Sequence, residues 1–283
     1  MLNHRTVIRI LYVCVLILCA LATIALSVLL ESKQYVYNKT SVPSITETSV
    51  EPFPVSVNPL TQTITEDEVV DTAIAESMAV NESEIDTWWS TIVAFFSSEV
   101  WYQNLASPIS RIIVIWPGER KEEAVNGIGD VLGWNQADKE EFSRLITTTE
   151  PVISDGTFFP GQYVAHRGAR PEEVATMILE SFQVEVLDRY TPEVENQVPL
   201  EDALTIASLL EREASDFDNM REISGVIWNR LFIDMPLQLD ATLQYVRGSR
   251  ASEAKWWPIP RPSDKFLDSP YNTYSNKGLP PAP

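Results

Sequence analysis

The stretch from Ile8 to Leu30, IRILYVCVLILCALATIALSVLL, carries one charge, Arg9, close to its start. About 20 apolar residues cross a bilayer core as a helix, the form that satisfies each backbone N–H and C=O without water. Residues 8–30 are therefore read as a single transmembrane helix. Arg5 and Arg9 flank its first end and Glu31 opens the other. The positive-inside bias then leaves residues 1–7 as a cytoplasmic tail and places everything after Leu30 outside the cytoplasm. A cleaved secretory signal is the competing reading, because Ala20-Leu21-Ala22 has a small-x-small pattern. The run stays apolar to Leu30, however, which is longer than an ordinary signal core. Both readings export the remainder, and the expected location is the cytoplasmic membrane, single-pass, with the bulk of the chain facing outward.

That exported remainder is acidic. The chain has 21 Lys plus Arg against 40 Asp plus Glu, a formal charge of −19, with no basic stripe, which argues against a nucleic-acid partner. The two cysteines, Cys14 and Cys19, both lie in the apolar run, and the histidines are His4 and His166. A disulfide framework and a Cys- or His-based zinc site are excluded for the folded part. Residues 31–86 are rich in Ser, Thr, Val, Pro and acid, and no Lys or Arg occurs from Thr40 through Ser110. Self-repelling charge without periodic apolar residues predicts an extended, mostly unstructured stalk. Trp88, Trp89, Phe95, Phe96 and Trp101 then crowd into an amphipathic lead-in, either packed on the domain or lying at a lipid surface, with packing preferred.

From Arg111 the pattern becomes globular. RIIVIW, ended by Pro117-Gly118, predicts a strand and a turn. Ala124, Ile128, Val131 and Leu132 have helical spacing with Gly133 as a stop, and Phe142, Leu145 and Ile146 repeat it. A second β-prone run, TFFPGQYVA, spans Thr157 to Ala165. Pro171 with Glu172 and Glu173 opens a third amphipathic helix carrying Val174, Met177, Ile178 and Phe182. The strand-helix-helix-strand order, with its VIWPGE and LGW elements, resembles a LysM-like module, a class that binds cell-wall amino-sugar chains. The alternative is a packing platform for the C-terminal part of the chain.

Pro199 opens a helix reading PLEDALTIASLLEREAS, with Glu201 and Asp202 in its first turn. At about 100° per residue, Leu204, Ala207, Ser208 and Glu211 share one face, whereas Glu213 points roughly 200° around the axis, toward water. A carboxyl beside small and apolar side chains favours its neutral form, which suits Glu211 to general-acid chemistry near neutral pH. Downstream, Asn229-Arg230-Leu231, Met235-Pro236-Leu237-Gln238, Asp240-Ala241-Thr242, Tyr245 and Ser269-Pro270-Tyr271-Asn272-Thr273-Tyr274 supply uncharged hydrogen-bonding and aromatic groups of the kind that bind sugars. SPYNTY also reads as a polar turn with Asx chemistry, Asp240 equally as a cap for a helix from Ala241, and Arg230 as a tie between helices.

ASLLERE, NRL, MPLQLDAT, Tyr245, SPYNTY and GLPPAP together resemble the endolytic murein (peptidoglycan) transglycosylase family, MltG/YceG-like, over roughly Arg111 to Pro283. Phe159, Pro160 and Tyr163 match its FP-x-x-Y segment. The resemblance implies an α+β chain: a transmembrane helix, the stalk, a lead-in and LysM-like α/β module at 87–165, and a mainly helical, lysozyme-like catalytic domain at 166–283. It places the catalytic carboxyl on Glu211. Ser208, Asn229, Gln238, Asp240, Tyr271, Asn272, Thr273 and Tyr274 are implied to bind or brace the substrate. The implied reaction cleaves the β-1,4 bond between N-acetylmuramic acid and N-acetylglucosamine without water, leaving a 1,6-anhydro end, and being intramolecular it needs no metal or organic cofactor. Peptidoglycan glycan strands, the cytoplasmic membrane and cell-wall synthases are the implied partners. The rivals are a lysozyme-like hydrolase with Asp240 or Glu213 as second carboxylate, and a non-catalytic wall-binding anchor. Ala241 stands where the family commonly has Pro. Family members also continue past GLPP-x-P, so the catalytic domain is expected to be C-terminally shortened at Pro283.

Overall fold

The structure is a computed structural model that describes residues 52–65, 68–72, 109–148, 154–250, 252–253 and 255–283. The expected membrane helix at 8–30, its cytoplasmic tail and the aromatic lead-in around Trp88 lie outside those residues. Among the described residues, no helix is long and apolar enough to cross a membrane.

Two short strands, β1 (Val57–Asn58) and β2 (Thr63–Ile64), pair antiparallel with Val57 opposite Ile64. The Asn58 carboxamide oxygen closes their turn, accepting from Leu60 N at 3.0 Å and Thr61 N at 3.1 Å, an Asx arrangement. This corrects the stalk expectation for residues 52–65. Val55 and Val57 pack against the helical core, and Phe53 N donates to Arg189 O at 3.1 Å. A Pro-interrupted segment shows no periodicity of its own; its order comes from a surface supplied much later in the chain.

The first core is built on β3 (Ser110–Ile115), α1 (Lys121–Leu132), α2 (Gln136–Thr148) and β4 (Gly161–His166). The strands pair antiparallel from Ser110 opposite His166 to Ile115 opposite Gly161. Helix α1 starts with the Glu123 carboxylate accepting Arg120 N at 3.1 Å and stops at left-handed Gly133, the two ends that its sequence specifies. Phe142 is fully buried at the centre, with the rings of Trp134 and Phe158 5.3 and 6.3 Å away. Helix α3 (Pro171–Glu185) inserts Val174, Ala175 and Ile178 into this same cluster. The expected boundary between Ala165 and His166 would therefore cut a continuous core. Amphipathic spacing shows which face of α3 is apolar but not which neighbour covers it.

The second core is helical: α4 (Pro192–Gln197), α5 (Leu200–Glu213), α6 (Phe217–Phe232) and α7 (Asp240–Gly248), followed by a largely irregular segment to Pro283. Ile206 and Leu209 of α5 meet Ile227 and Trp228 of α6, with Leu237, Leu239 and Val198 closing the cluster. A third cluster joins α3 to α5 through Phe182, Val186, Phe159, Leu200 and Leu204. Gly248 ends α7 under the Trp256 carbonyl oxygen, which lies 1.9 Å from where a Cβ would stand. That contact lets the 256–257 segment fold back over the helix. Among the described residues the fold is α+β and mostly helical, with two small sheets.

Candidate active site

A cleft of about 500 Å³ runs between the α/β section and α5. Leu204, Ala207, Ser208 and Glu211, the four residues that helical spacing puts on one face of α5, all line it. Across from them stand the turn after β3, with Trp116, Gly118, Glu119 and Arg120, and the 3-10 turn at Ser154–Thr157 with Asp155. Phe53, Pro54, Val55 and Val57 line a further wall.

Glu211 is half-buried, and its Oε2 accepts a 2.6 Å hydrogen bond from Gly118 N. Burial raises its pKa, while the Gly118 N–H and the adjacent Arg212 guanidinium pull it back down. Two more carboxyls on the cleft wall are shifted upward: Glu119 by burial and then by Glu123, and Asp155 by burial and then by Glu122. Tyr245 is pushed up mainly by burial, with Asp155 and Tyr271 adding to the shift.

The cleft's far side is an aromatic and guanidinium stack. Arg120 is buried, with its guanidinium 4.2 Å above the Tyr245 ring and bonded to Ser249 Oγ at 2.8 Å. Arg212 lies 3.8 Å over the Trp257 ring, and the Trp257 indole donates to Glu123 at 2.7 Å. Tyr271 packs 4.9 Å from Tyr245. Planar faces at a cleft wall suit the CH faces of sugar rings.

The residues singled out in the sequence divide sharply. Glu211, Ser208 and Tyr271 line the cleft; Asn229, Gln238, Asp240, Asn272, Thr273 and Tyr274 do not. Ser208 Oγ donates to Thr205 O at 2.8 Å. Asn229 is exposed on α6. Gln238 is exposed with a left-handed backbone, and its N–H donates to Thr273 O at 3.0 Å. Asn272 is wholly buried, donating to Lys265 O at 3.1 Å and Leu267 O at 2.8 Å and accepting from Tyr274 N at 3.0 Å. Thr273 accepts from Leu239 N at 3.0 Å and bonds Thr242 Oγ1 at 2.9 Å. Tyr274 donates to Asp240 at 2.8 Å, which pushes the phenol, already raised by burial, up to about 12. These groups brace the 238–242 and 267–276 segments against one another.

The expectation that Asp240 caps a helix from Ala241 is corrected too, because α7 starts at Asp240 itself. Glu213 takes the capping role: its Oε1 accepts Ala241 N at 2.9 Å, so it is half-buried at a helix terminus instead of facing water. Neither carboxyl named for a hydrolytic pair reaches the cleft wall. Arg230 donates to Leu237 O, in the loop that follows α6, so it anchors that loop and does not tie α6 to a second helix. Gly118, Glu119, Arg120 and Asp155 are site residues that sequence reasoning misses. The WPGE turn is the available signal, and by itself it reads only as punctuation. Among the described residues, no cluster of His, Cys, Asp or Glu is placed to hold a metal ion.

The YceG-like family model matches residues 56–283, most of the chain. The chain belongs to the YceG-like family. Its relatives include a Bacillus subtilis protein named endolytic murein transglycosylase, 39% identical over 171 residues, which are 58% of this chain and 45% of that one. A Streptococcus pneumoniae protein of the same name is 33% identical over 132 residues, 46% of this chain and 23% of that one. The YceG-like chain thus spans less than half the length of these two relatives. A crystal structure of a yceG-like protein from Listeria monocytogenes superposes with a TM-score of 0.51 at 23% identity, over 69% of this chain and 67% of that one. At that identity the likeness carries the YceG-like fold alone.

Proposed function

We propose that the chain is a membrane-anchored, endolytic peptidoglycan lytic transglycosylase with Glu211 as its general acid and base. The observation that carries this reading is a half-buried carboxyl, raised in pKa, on the wall of a sugar-sized cleft and held by a backbone N–H. Relatives named for murein transglycosylase activity support it.

Protonated Glu211 donates to the glycosidic oxygen between N-acetylmuramic acid and N-acetylglucosamine, and that C–O bond breaks as positive charge develops at C1. The Glu211 carboxylate then takes the proton from the C6 hydroxyl of the same muramyl residue while its oxygen bonds C1, closing the 1,6-anhydro ring. The nucleophile is already tethered to the reacting carbon, so proximity replaces an activated water, and one carboxyl serves as acid and then base. Ser208, on the Glu211 face of α5, and the Tyr245, Tyr271 and Trp257 rings line the path of the strand. Asn229, Gln238, Asp240, Asn272, Thr273 and Tyr274 act as braces or outer contacts.

The 8–30 helix anchors the chain with its N-terminus in the cytoplasm, and the strand-helix-helix-strand section serves as a LysM-like glycan grip. An endolytic cut close to the membrane limits the length of nascent strands and places the chain beside cell-wall synthases.

Full-length protein incubated with sacculi is expected to release muropeptides with anhydro ends by mass spectrometry. Glu211→Gln should lower that release by about 10³-fold while the fold is retained. Reducing ends instead would identify a hydrolase, with Asp155 or Glu119 as the second carboxylate on the cleft wall. Undiminished turnover by the Gln variant would remove Glu211 from the chemistry.

A further inference from the structure

We infer that the Trp116–Glu119 turn is a working part of the catalytic apparatus, with the Gly118 N–H as the positioning group that fixes how Glu211 holds and releases its proton; this rests on Glu211 being the general acid.

The turn is built to present that N–H. Pro117 at its second position and Gly118, with φ +71°, at its third form the type II arrangement. Glu119 N donates to Trp116 O at 3.2 Å, and the Glu119 carboxylate accepts Trp116 N at 3.1 Å. Both ends of the turn are thereby locked, and the central peptide's N–H takes no part in closing it. It points instead to Glu211 Oε2 at 2.6 Å, across 93 residues of sequence. The φ of +71° is what requires glycine, and a Cβ at position 118 would also crowd Arg212 Cδ at 2.7 Å. The β3–α1 turn is pressed against the C-terminal end of α5, where the reacting carboxyl sits.

The chemical consequence concerns which oxygen carries the proton. A carboxylic acid accepts a hydrogen bond at its carbonyl oxygen, so an N–H on Oε2 leaves the transferable proton on Oε1. After transfer the same N–H stabilises the carboxylate, which must then take a proton from the C6 hydroxyl. Burial favours the acid form and the Gly118 N–H favours the anion. A residue that is first donor and then acceptor needs both influences.

The test replaces the Pro117–Gly118 amide by an ester, installing glycolic acid at position 118 of the full chain by nonsense suppression. This removes one N–H and leaves the shape unchanged. With defined glycan strands as substrate, kcat should fall about 10- to 100-fold, the loss of one hydrogen bond to an ionised group. KM should stay within about twofold, as for an interaction made in the transition state. The alkaline limb of the pH–rate profile should move to higher pH, because the anion loses its donor. Gly118→Ala forces a Cβ onto a backbone at φ +71° and against Arg212, so it displaces the N–H and should move the limb the same way, with a lowered melting temperature that the ester variant does not share. An unmoved limb in the ester variant or a change confined to KM overturns the inference. Glu211→Gln keeps the two claims apart. Full activity in that variant removes the general-acid reading and the inference with it, whereas its inactivity beside an unaffected ester variant overturns the inference alone.

Discussion

The burial of Glu211 costs stability at neutral pH. Burial raises its pKa, so the folded state prefers the neutral acid. Its contribution is fully present below the unfolded carboxylate range and is lost as pH rises through the raised folded value. Glu119 and Asp155 on the same wall are raised for the same first reason and pull in the same direction. Gln at position 211 retains an oxygen for the Gly118 N–H and carries no charge. Glu211→Gln is therefore expected to melt with the parent near pH 4 and about 2–4 °C above it near pH 8. That is on the order of 1 kcal/mol after allowance for screening at the cleft mouth. Calorimetry at the two pH values checks this, and a parent that melts higher at pH 8 contradicts it. Asn272 presents the opposite case. Its amide is wholly buried and satisfies three backbone groups of its own loop. Asn272→Ala should cost about 2–4 kcal/mol, read as a lower urea midpoint at unchanged slope.

At the scale of elements, legibility from sequence ends where a periodicity ends. Within α5 a 3.6-residue repeat correctly groups Leu204, Ala207, Ser208 and Glu211, because one helix fixes its own faces. The strand-helix-helix-strand order is legible for the same reason. The partner of each face is not: α3 joins the core of the strands before it, and Glu213 finds the N-terminus of α7. SPYNTY has the polarity of sugar-binding chemistry, yet most of that polarity is consumed internally, as its Asx-turn alternative indicates. The turn after β3 is legible as a turn but not as a wall of the cleft, since that depends on a contact 93 residues away. Trp116 opens this turn, lines the cleft and remains 48% exposed. An indole left half in solvent at a cleft rim is suited to stacking on a sugar face. Trp116→Ala should raise KM for glycan strands about 3- to 10-fold while kcat stays within twofold, measured on strands of defined length. A loss confined to kcat would instead tie the indole to the turn's grip on Glu211.

At the scale of the whole molecule, the cleft is assembled from three stretches far apart in sequence: the 53–57 strap, the α/β section and the helical section. The strap is the least obvious of them. The Phe53 ring lies 4.0 Å under the Arg189 guanidinium and 6.4 Å from the Tyr190 ring, while Val55 and Val57 extend the helical core. Residues that composition assigns to a spacer thus form a structural wall, so a spacer that only sets reach and one that also shapes the cleft predict different truncation results. Two variants separate them, one starting after residue 51 and one after residue 65. If the strap is a wall, the shorter variant loses the burial of one aromatic and two aliphatic side chains, about 2–3 kcal/mol at their partial burial. Its melting temperature should then fall about 5–10 °C below that of the longer variant. Its KM should rise, because one side of the cleft opens to water, while kcat changes less because Gly118 and Glu211 remain paired. Equal melting temperatures and equal KM values for the two variants would make the strap a passive tether, and the cleft the work of the α/β and helical sections alone.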